Sequence, residues 1–193
     1  MRDISNEQIR HWAERLNRSD RKAFDDMFRV LYPRLVGYAY SIIQDREAAD
    51  DVVQDTFVLL WQKRHEVDPD RSVVAYVYRA VRNRALNYLR DRREVMEPED
   101  NILADETASA DPYENDPNFD EKARKKIYDW INKLPDRQRE AFELSRFDGL
   151  HHHEIARVME VSQKTVNNHL TAALKQLRDW YETDKKESGY LRS

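Results

Sequence analysis

Apolar positions recur at three and four residues through most of this chain, and each such stretch predicts a helix with one buried face. Ala23, Phe24, Met27, Phe28 and Leu31 form one stripe, with Ser19 or Asp20 placed to cap it. Leu35, Val36, Tyr38, Ala39, Ile42 and Ile43 resume the pattern beyond Pro33, so a break or kink is expected near Tyr32. Asp45 or Arg46 begins the turn into residues 49–64, where Val52, Val53, Thr56, Leu59 and Leu60 lie beside a polar face at Asp51, Gln54 and Asp55. Phe57, Val58 and Trp61 widen that helix's apolar sector beyond what a small bundle needs to bury. A partly exposed aromatic face with acids beside it suits docking on another protein, and a well-buried central helix fits the same pattern. After a loop rich in Asp and Pro, residues 73–93 form one amphipathic helix with Val74, Val77, Tyr78, Val81, Ala85, Tyr88 and Leu89 on its apolar side.

The last stretch, 150–177, is spaced for two short helices meeting at a tight corner, a helix-turn-helix. Ile155, Ala156 and Met159 face inward from the first helix, Val161 closes the corner, and Ser162 can cap a second helix lined by Val166, Leu170, Ala173, Leu174 and Leu177. With Lys164 as origin and about 100° per residue, Asn167, Asn168, Thr171 and Lys175 fall within about 60° of it. This face is polar and holds no acid, which suits phosphates and base edges, although helical hairpins with polar outer faces also occur in proteins that never touch DNA. Glu160 stands at the corner, where a positive φ is often needed and Gly is easiest.

Composition supports an all-α fold: the 193 residues hold only three glycines. No cysteine is present, which excludes disulfides and thiolate metal sites and fits a cytoplasmic protein. No apolar run approaches a membrane span, and the first residues lack a signal core, so no membrane insertion is expected. His151, His152 and His153 point about 100° apart on a helix and do not converge on a metal. There is no Gly-rich phosphate loop, cysteine nucleophile or carboxylate–histidine ligand set, so neither an enzyme nor any cofactor or metal is expected.

The net charge of −4 looks wrong for a DNA binder, but eleven acids and no base lie between residues 94 and 121. Outside that segment the chain has 33 basic against 26 acidic residues, net +7. The segment also carries Pro98, Pro112 and Pro117 and few large apolar residues, so it reads as a flexible acidic linker extended by its own repulsion. The expected organisation is two small helical domains, 1–93 and 120–182, joined by the linker at 94–119 and followed by a polar tail at 183–193. On the 73–93 helix, Arg79, Arg82, Arg90 and Arg93 form a row flanked by Asn83 and Asn87, offering charge to phosphates and amides to base edges.

Taken in order, ADDVVQDTFVLLW, YVYRAVRNRALNYLR, the acidic linker, LPDRQREAFELSRFDGL and HHEIARVMEVSQKTVNNHLTAALKQLR resemble the extracytoplasmic-function group of the sigma-70 family. The resemblance implies a transcription initiation factor that binds core RNA polymerase and directs it to promoter DNA. It implies that the 49–64 helix docks on the polymerase clamp helices, with Asp51, Val52, Gln54, Asp55, Phe57 and Trp61 as the positions concerned. The 65–72 loop and 73–93 helix match the regions that melt and read the element near minus ten, which assigns Asp68, Arg71, Arg79, Arg82, Asn83, Asn87 and Arg90 to that DNA. Tyr76, Tyr78 and Tyr88 are read as core. The region from 134 to 177 corresponds to the module for the element near minus thirty-five, with Ser162, Gln163, Lys164, Thr165, Asn167, Asn168, Thr171 and Lys175 as its contacts. Further implied partners are the polymerase flap and an anti-sigma factor. The other class of reading is a two-domain helix-turn-helix regulator whose first domain senses or dimerises and which needs no polymerase.

Overall fold

The computed structural model describes residues 6–68, 71–95 and 121–187. It contains eight α-helices and one 3-10 turn, and no strand among the described residues. These fall into two compact units, one holding the first four helices and the other the last four. Most of the acidic linker, residues 96–120, lies outside the described residues, as do Pro69 and Asp70.

The first unit runs α1 (Asn6–Asn17), α2 (Arg21–Ile43), α3 (Arg46–Gln62), a 3-10 turn (Arg64–Glu66) and α4 (Val73–Val95). Its core gathers Trp12, Ala13 and Leu16 from α1, Met27, Leu31 and Leu35 from α2, Val53, Phe57 and Leu60 from α3, and Val77, Tyr78 and Val81 from α4. The expected break near Tyr32 does not occur: α2 is a single helix across Pro33. Proline removes the hydrogen bond to the carbonyl four residues back, that of Arg29. Arg29 and Pro33 are both exposed, so water can serve that carbonyl, while the buried face of Met27, Leu31, Leu35 and Tyr38 keeps the helix packed on either side of the proline.

Asp20 fixes the α1–α2 corner with both carboxylate oxygens. Oδ1 accepts the Lys22 and Ala23 amides at the start of α2, and Oδ2 accepts Arg15 Nε at 2.8 Å. The Arg15 hydrogen bond, followed by the Ala23 amide, holds the Asp20 carboxyl below the usual carboxylate range. A depressed folded-state pKa contributes stability above the unfolded-chain value, and that contribution disappears as pH falls through the folded value. Asp20→Asn keeps an oxygen for the cap and loses the charge. Its melting temperature should therefore lie below wild type at pH 7, and the gap should begin to narrow below about pH 4, the unfolded-chain value, and close as pH falls through the lower folded-state value. A gap that stays constant across that range in thermal melts would show that the Arg15 pair contributes nothing.

The second unit runs α5 (Glu121–Asn132), α6 (Asp136–Arg146), α7 (His152–Met159) and α8 (Gln163–Glu187). Ile131, Leu134, Phe142 and Ala173 form one core cluster, against which Phe147, Leu177 and Trp180 pack. The α7–α8 corner turns at Glu160, which adopts the left-handed conformation at φ 57° and ψ 44°. This is the geometry that glycine takes most easily, adopted here by a residue with a side chain. Glu154, only 6% exposed, closes the other end of α7 by accepting the His151 amide at 2.9 Å. His151 lies before the helix rather than in it, so its ring turns back to stack on His153 with centroids 5.8 Å apart. The α8 helix extends ten residues past Leu177. The expected polar tail therefore begins inside a helix, because Trp180 continues the buried side of α8 for another turn.

Candidate protein-docking and nucleic-acid surfaces

Aromatic residues spaced four apart on α2, Phe24, Phe28 and Tyr32, meet the α3 residues Phe57, Val58 and Trp61 in an open groove of about 620 Å³ that Gln54 and Gln62 also line. The rings interlock: Phe28 lies 4.8 Å from Phe57 in a T-shaped pair, and Phe24 lies 5.1 Å from Trp61. Such contacts add to the burial of the rings themselves and hold the groove's shape. Arg64 covers Trp61, its guanidinium carbon 4.7 Å from the ring centroid. Tyr32 donates to Asp50 at 2.6 Å; burial, then this bond to a carboxylate, raise its pKa and keep the phenol protonated.

Of the expected docking residues, Asp51, Gln54 and Asp55 are exposed and Val52 and Trp61 are half-buried. Phe57 is a correction: at 2% exposure it is the floor of the groove and part of the core rather than a partly exposed face. The reason is the aromatic column of α2, in which Phe24 and Phe28 of the expected apolar stripe are joined by Tyr32 and pack over Phe57. Val58, 55% exposed, takes the outward place instead. The repeat of aromatic rings at 24, 28 and 32 was the signal for this missed half of the surface.

On α4, Arg79, Asn83, Asn87 and Arg90 are all exposed, and their spacing sets them along one side of the helix. Arg82, expected in this row, is 5% exposed and engaged within the protein. It lies next to Val81 and one turn from Tyr78 and Ala85, all buried, so the edge of the apolar sector extends over it. Tyr76 departs the other way. Read as core from its sequence, it is 45% exposed and lies two turns before Asn83, at the head of the polar row, while Tyr78 is buried as expected. Arg84, given no role from sequence, reaches Asp55 of α3 at 3.5 Å.

Before α4, Asp68 and Arg71 are in contact. The Arg71 amide donates to the Asp68 carbonyl at 3.1 Å, and the two side chains pair at 3.3 Å. Ser72 Oγ then accepts the Ala75 amide and caps the helix.

In the second unit, Gln163, Lys164, Asn167, Asn168, Thr171 and Lys175 are exposed on α8. Ser162 Oγ accepts the Thr165 amide at 3.1 Å and lies 2.8 Å from Thr165 Oγ1, so these two hydroxyls brace the start of the helix. Val166, Leu170 and Ala173 are buried on the other side. The helix is thus fixed by its cap and core and presents an exposed row of amide, hydroxyl and ammonium groups, chemistry that suits phosphates and base edges.

Two family models match the chain in the order of its two units: Sigma-70 region 2 over residues 27–95 and Sigma-70, region 4 over residues 124–177. The chain is 32% identical over 162 residues to the ECF RNA polymerase sigma factor RpoE of Cereibacter sphaeroides, covering 82% of this chain and 86% of that one. It is 27% identical over 180 residues to the RNA polymerase sigma-H factor of Pseudomonas aeruginosa, covering 88% and 92%. In fold it is similar to CnrH, solved in complex with the cytosolic domain of CnrY, with a TM-score of 0.63 at 23% identity over 92% of this chain and 99% of that one. It is also similar to the RpoE sigma factor of Bartonella quintana, solved with the anti-sigma factor NepR, with a TM-score of 0.67 at 21% identity over 84% and 99%.

Proposed function

Since the chain belongs to the sigma-70 family, in its extracytoplasmic-function group, we propose that it binds core RNA polymerase, carries it to promoters and opens the DNA there. The observation that carries this reading is the pairing of two chemically different surfaces in the first unit. An aromatic groove with exposed Asp51, Gln54 and Asp55 on α3 suits a protein partner, and the polar row of α4 suits nucleic acid. The sites are assigned accordingly. The polymerase clamp helices dock along α3 at Asp51, Val52, Gln54, Asp55, Val58 and Trp61, over the floor made by Phe57. The element near minus ten is read by Arg79, Asn83, Asn87 and Arg90 beside Asp68 and Arg71. The element near minus thirty-five is held by Lys164, Asn167, Asn168, Thr171 and Lys175, in the unit that also meets the flap.

Opening a duplex costs a few kcal/mol per unstacked step, which must be offset by capturing bases and backbone of the exposed strand. Arginines supply the backbone attraction and asparagine amides the base edges. Tyr76 adds an exposed ring at the head of the row, and stacking on an aromatic ring is worth about 1–3 kcal/mol per base. All the chemistry proposed is binding, so the polymerase performs the catalysis. We place the protein in the cytoplasm, and no described helix is long and apolar enough to cross a membrane. An anti-sigma factor is a further proposed partner, as one is present in the Bartonella quintana RpoE complex.

Transcription from genomic DNA with core polymerase, with and without the protein, tests the reading. Discrete new transcripts should appear only with both. Specific duplex binding by the protein alone, with no association with core polymerase, would instead support a polymerase-independent helix-turn-helix regulator.

A further inference from the structure

We infer that Asn17, the last residue of α1, is a positioning residue for strand opening, because it clasps the loop that leads into α4 from both its side chain and its main chain. Its Nδ2 donates to the Val67 carbonyl at 2.9 Å, and its own carbonyl accepts from His65 Nδ1 at 2.8 Å. The second contact sets the ring with its proton on Nδ1, since a carbonyl oxygen only accepts. Next to it, Ser19 Oγ accepts Arg64 Nε at 2.8 Å, and Arg64 also donates to the Trp61 carbonyl at 2.9 Å. Three successive points of the segment after α3, at 64, 65 and 67, are therefore tied to the corner between α1 and α2. Val67 is buried, and Asp68, the next residue, accepts the Arg71 amide just before α4.

The corner that provides these ties is itself rigid. Ser19 holds a left-handed φ of 63°, and Asp20 links Arg15 to the start of α2. The α1 helix stays in place without the clasp because Trp12, Ala13 and Leu16 are buried in the core. Removing the Asn17 side chain thus releases the segment at Val67 without removing the helix. A segment held in advance from Arg64 to Val67 spares the promoter complex the entropy of ordering it when the strands separate. The contacts span positions 50 and 48 apart in sequence, and both end on the segment that leads into α4, so their effect on that helix passes through it.

This inference rests on the reading of α4 as the strand-opening helix, and its test separates the two. Holoenzyme is assembled with wild type, Asn17→Ala, Asn17→Asp, His65→Ala or His65→Asn. The Nδ2 of an asparagine at 65 can stand where the ring Nδ1 stood, so His65→Asn retains the donor that His65→Ala deletes. Open-complex formation is measured on a promoter recovered by genomic transcription, as closed duplex and again with a pre-opened bubble, together with polymerase affinity. Loss of one neutral hydrogen bond predicts opening of the closed duplex weakened about 3- to 10-fold in Asn17→Ala, Asn17→Asp and His65→Ala. The bubble should restore all three, His65→Asn should match wild type on both templates, and polymerase affinity should stay within about twofold. Equal losses on both templates, no loss on closed duplex, a parallel fall in polymerase affinity, or failure of His65→Asn to restore opening would each overturn the clasp. If the wild-type holoenzyme opens no promoter, the assignment of α4 falls first and takes the clasp with it.

Discussion

Phe57→Ala is expected to lower the stability of the α1–α4 unit by about 3–5 kcal/mol, the cost of emptying the volume of a buried phenylalanine. In a domain of this size that corresponds to a fall of at least about 10 °C in melting temperature. The size follows from place: Phe57 is 2% exposed and packs against Phe28 at 4.8 Å and Phe24 at 6.0 Å. Val58→Glu, one residue on, should behave in the opposite way. Its side chain is exposed in the same groove, so a carboxylate there stays hydrated, and the melting curve should move little. A charge at the centre of an apolar docking surface should nevertheless weaken polymerase binding by about 2 kcal/mol or more, roughly 30-fold. Asp55→Arg should follow Val58→Glu, since its pair with Arg84 is solvent-exposed and such pairs contribute at most about 1 kcal/mol. Melting curves and polymerase affinity, measured on the same three proteins, separate core from docking. If Val58→Glu and Asp55→Arg bind polymerase as wild type does, the docking surface lies elsewhere.

Substitutions on the two DNA surfaces should separate by template. Asn168→Ala and Lys164→Ala should each weaken holoenzyme binding at the upstream element by about 1–3 kcal/mol if they read bases, and a pre-opened bubble should not restore it. Asn83→Ala and Tyr76→Ala should leave the upstream element untouched and slow opening of closed duplex, with the bubble restoring most of the loss. The Tyr76 effect should be about 1–3 kcal/mol if its ring stacks on a base. Arg82→Ala should match neither pattern, because its side chain is buried. Its effect should appear as a lower melting temperature, with the same loss on both templates. Equal rescue of Asn168→Ala and Asn83→Ala would show that the two surfaces have been assigned wrongly.

Local chemistry makes much of this protein legible in its sequence. Asp20 and Asp45 accept amides at the starts of α2 and α3, and Ser162 does so for α8, as short polar side chains ahead of apolar stripes predict. Helical period, scarce glycine and the acidic segment between 94 and 121 likewise set out two all-helical units, because each signal is carried by residues a few positions apart. The corner at Glu160 was legible as a site needing positive φ, although the residue there is not the one such a site favours.

What the tertiary structure alone decided is how wide each buried face is and which distant residues meet across it. Phe57 and Arg82 both sit at the margin of an apolar sector, where about 100° per residue leaves burial undetermined until a neighbouring helix arrives. Packing of α2 against α3 covered Phe57, and the buried side of α4 widened over Arg82 while Tyr76 was left outside. Pro33 shows the same dependence, its local tendency to break a helix overridden by a core face that continues on either side. The contacts of Asn17 with His65 and Val67 lie beyond any periodic signal, since residues 48 and 50 positions apart are brought together only by the path of the chain.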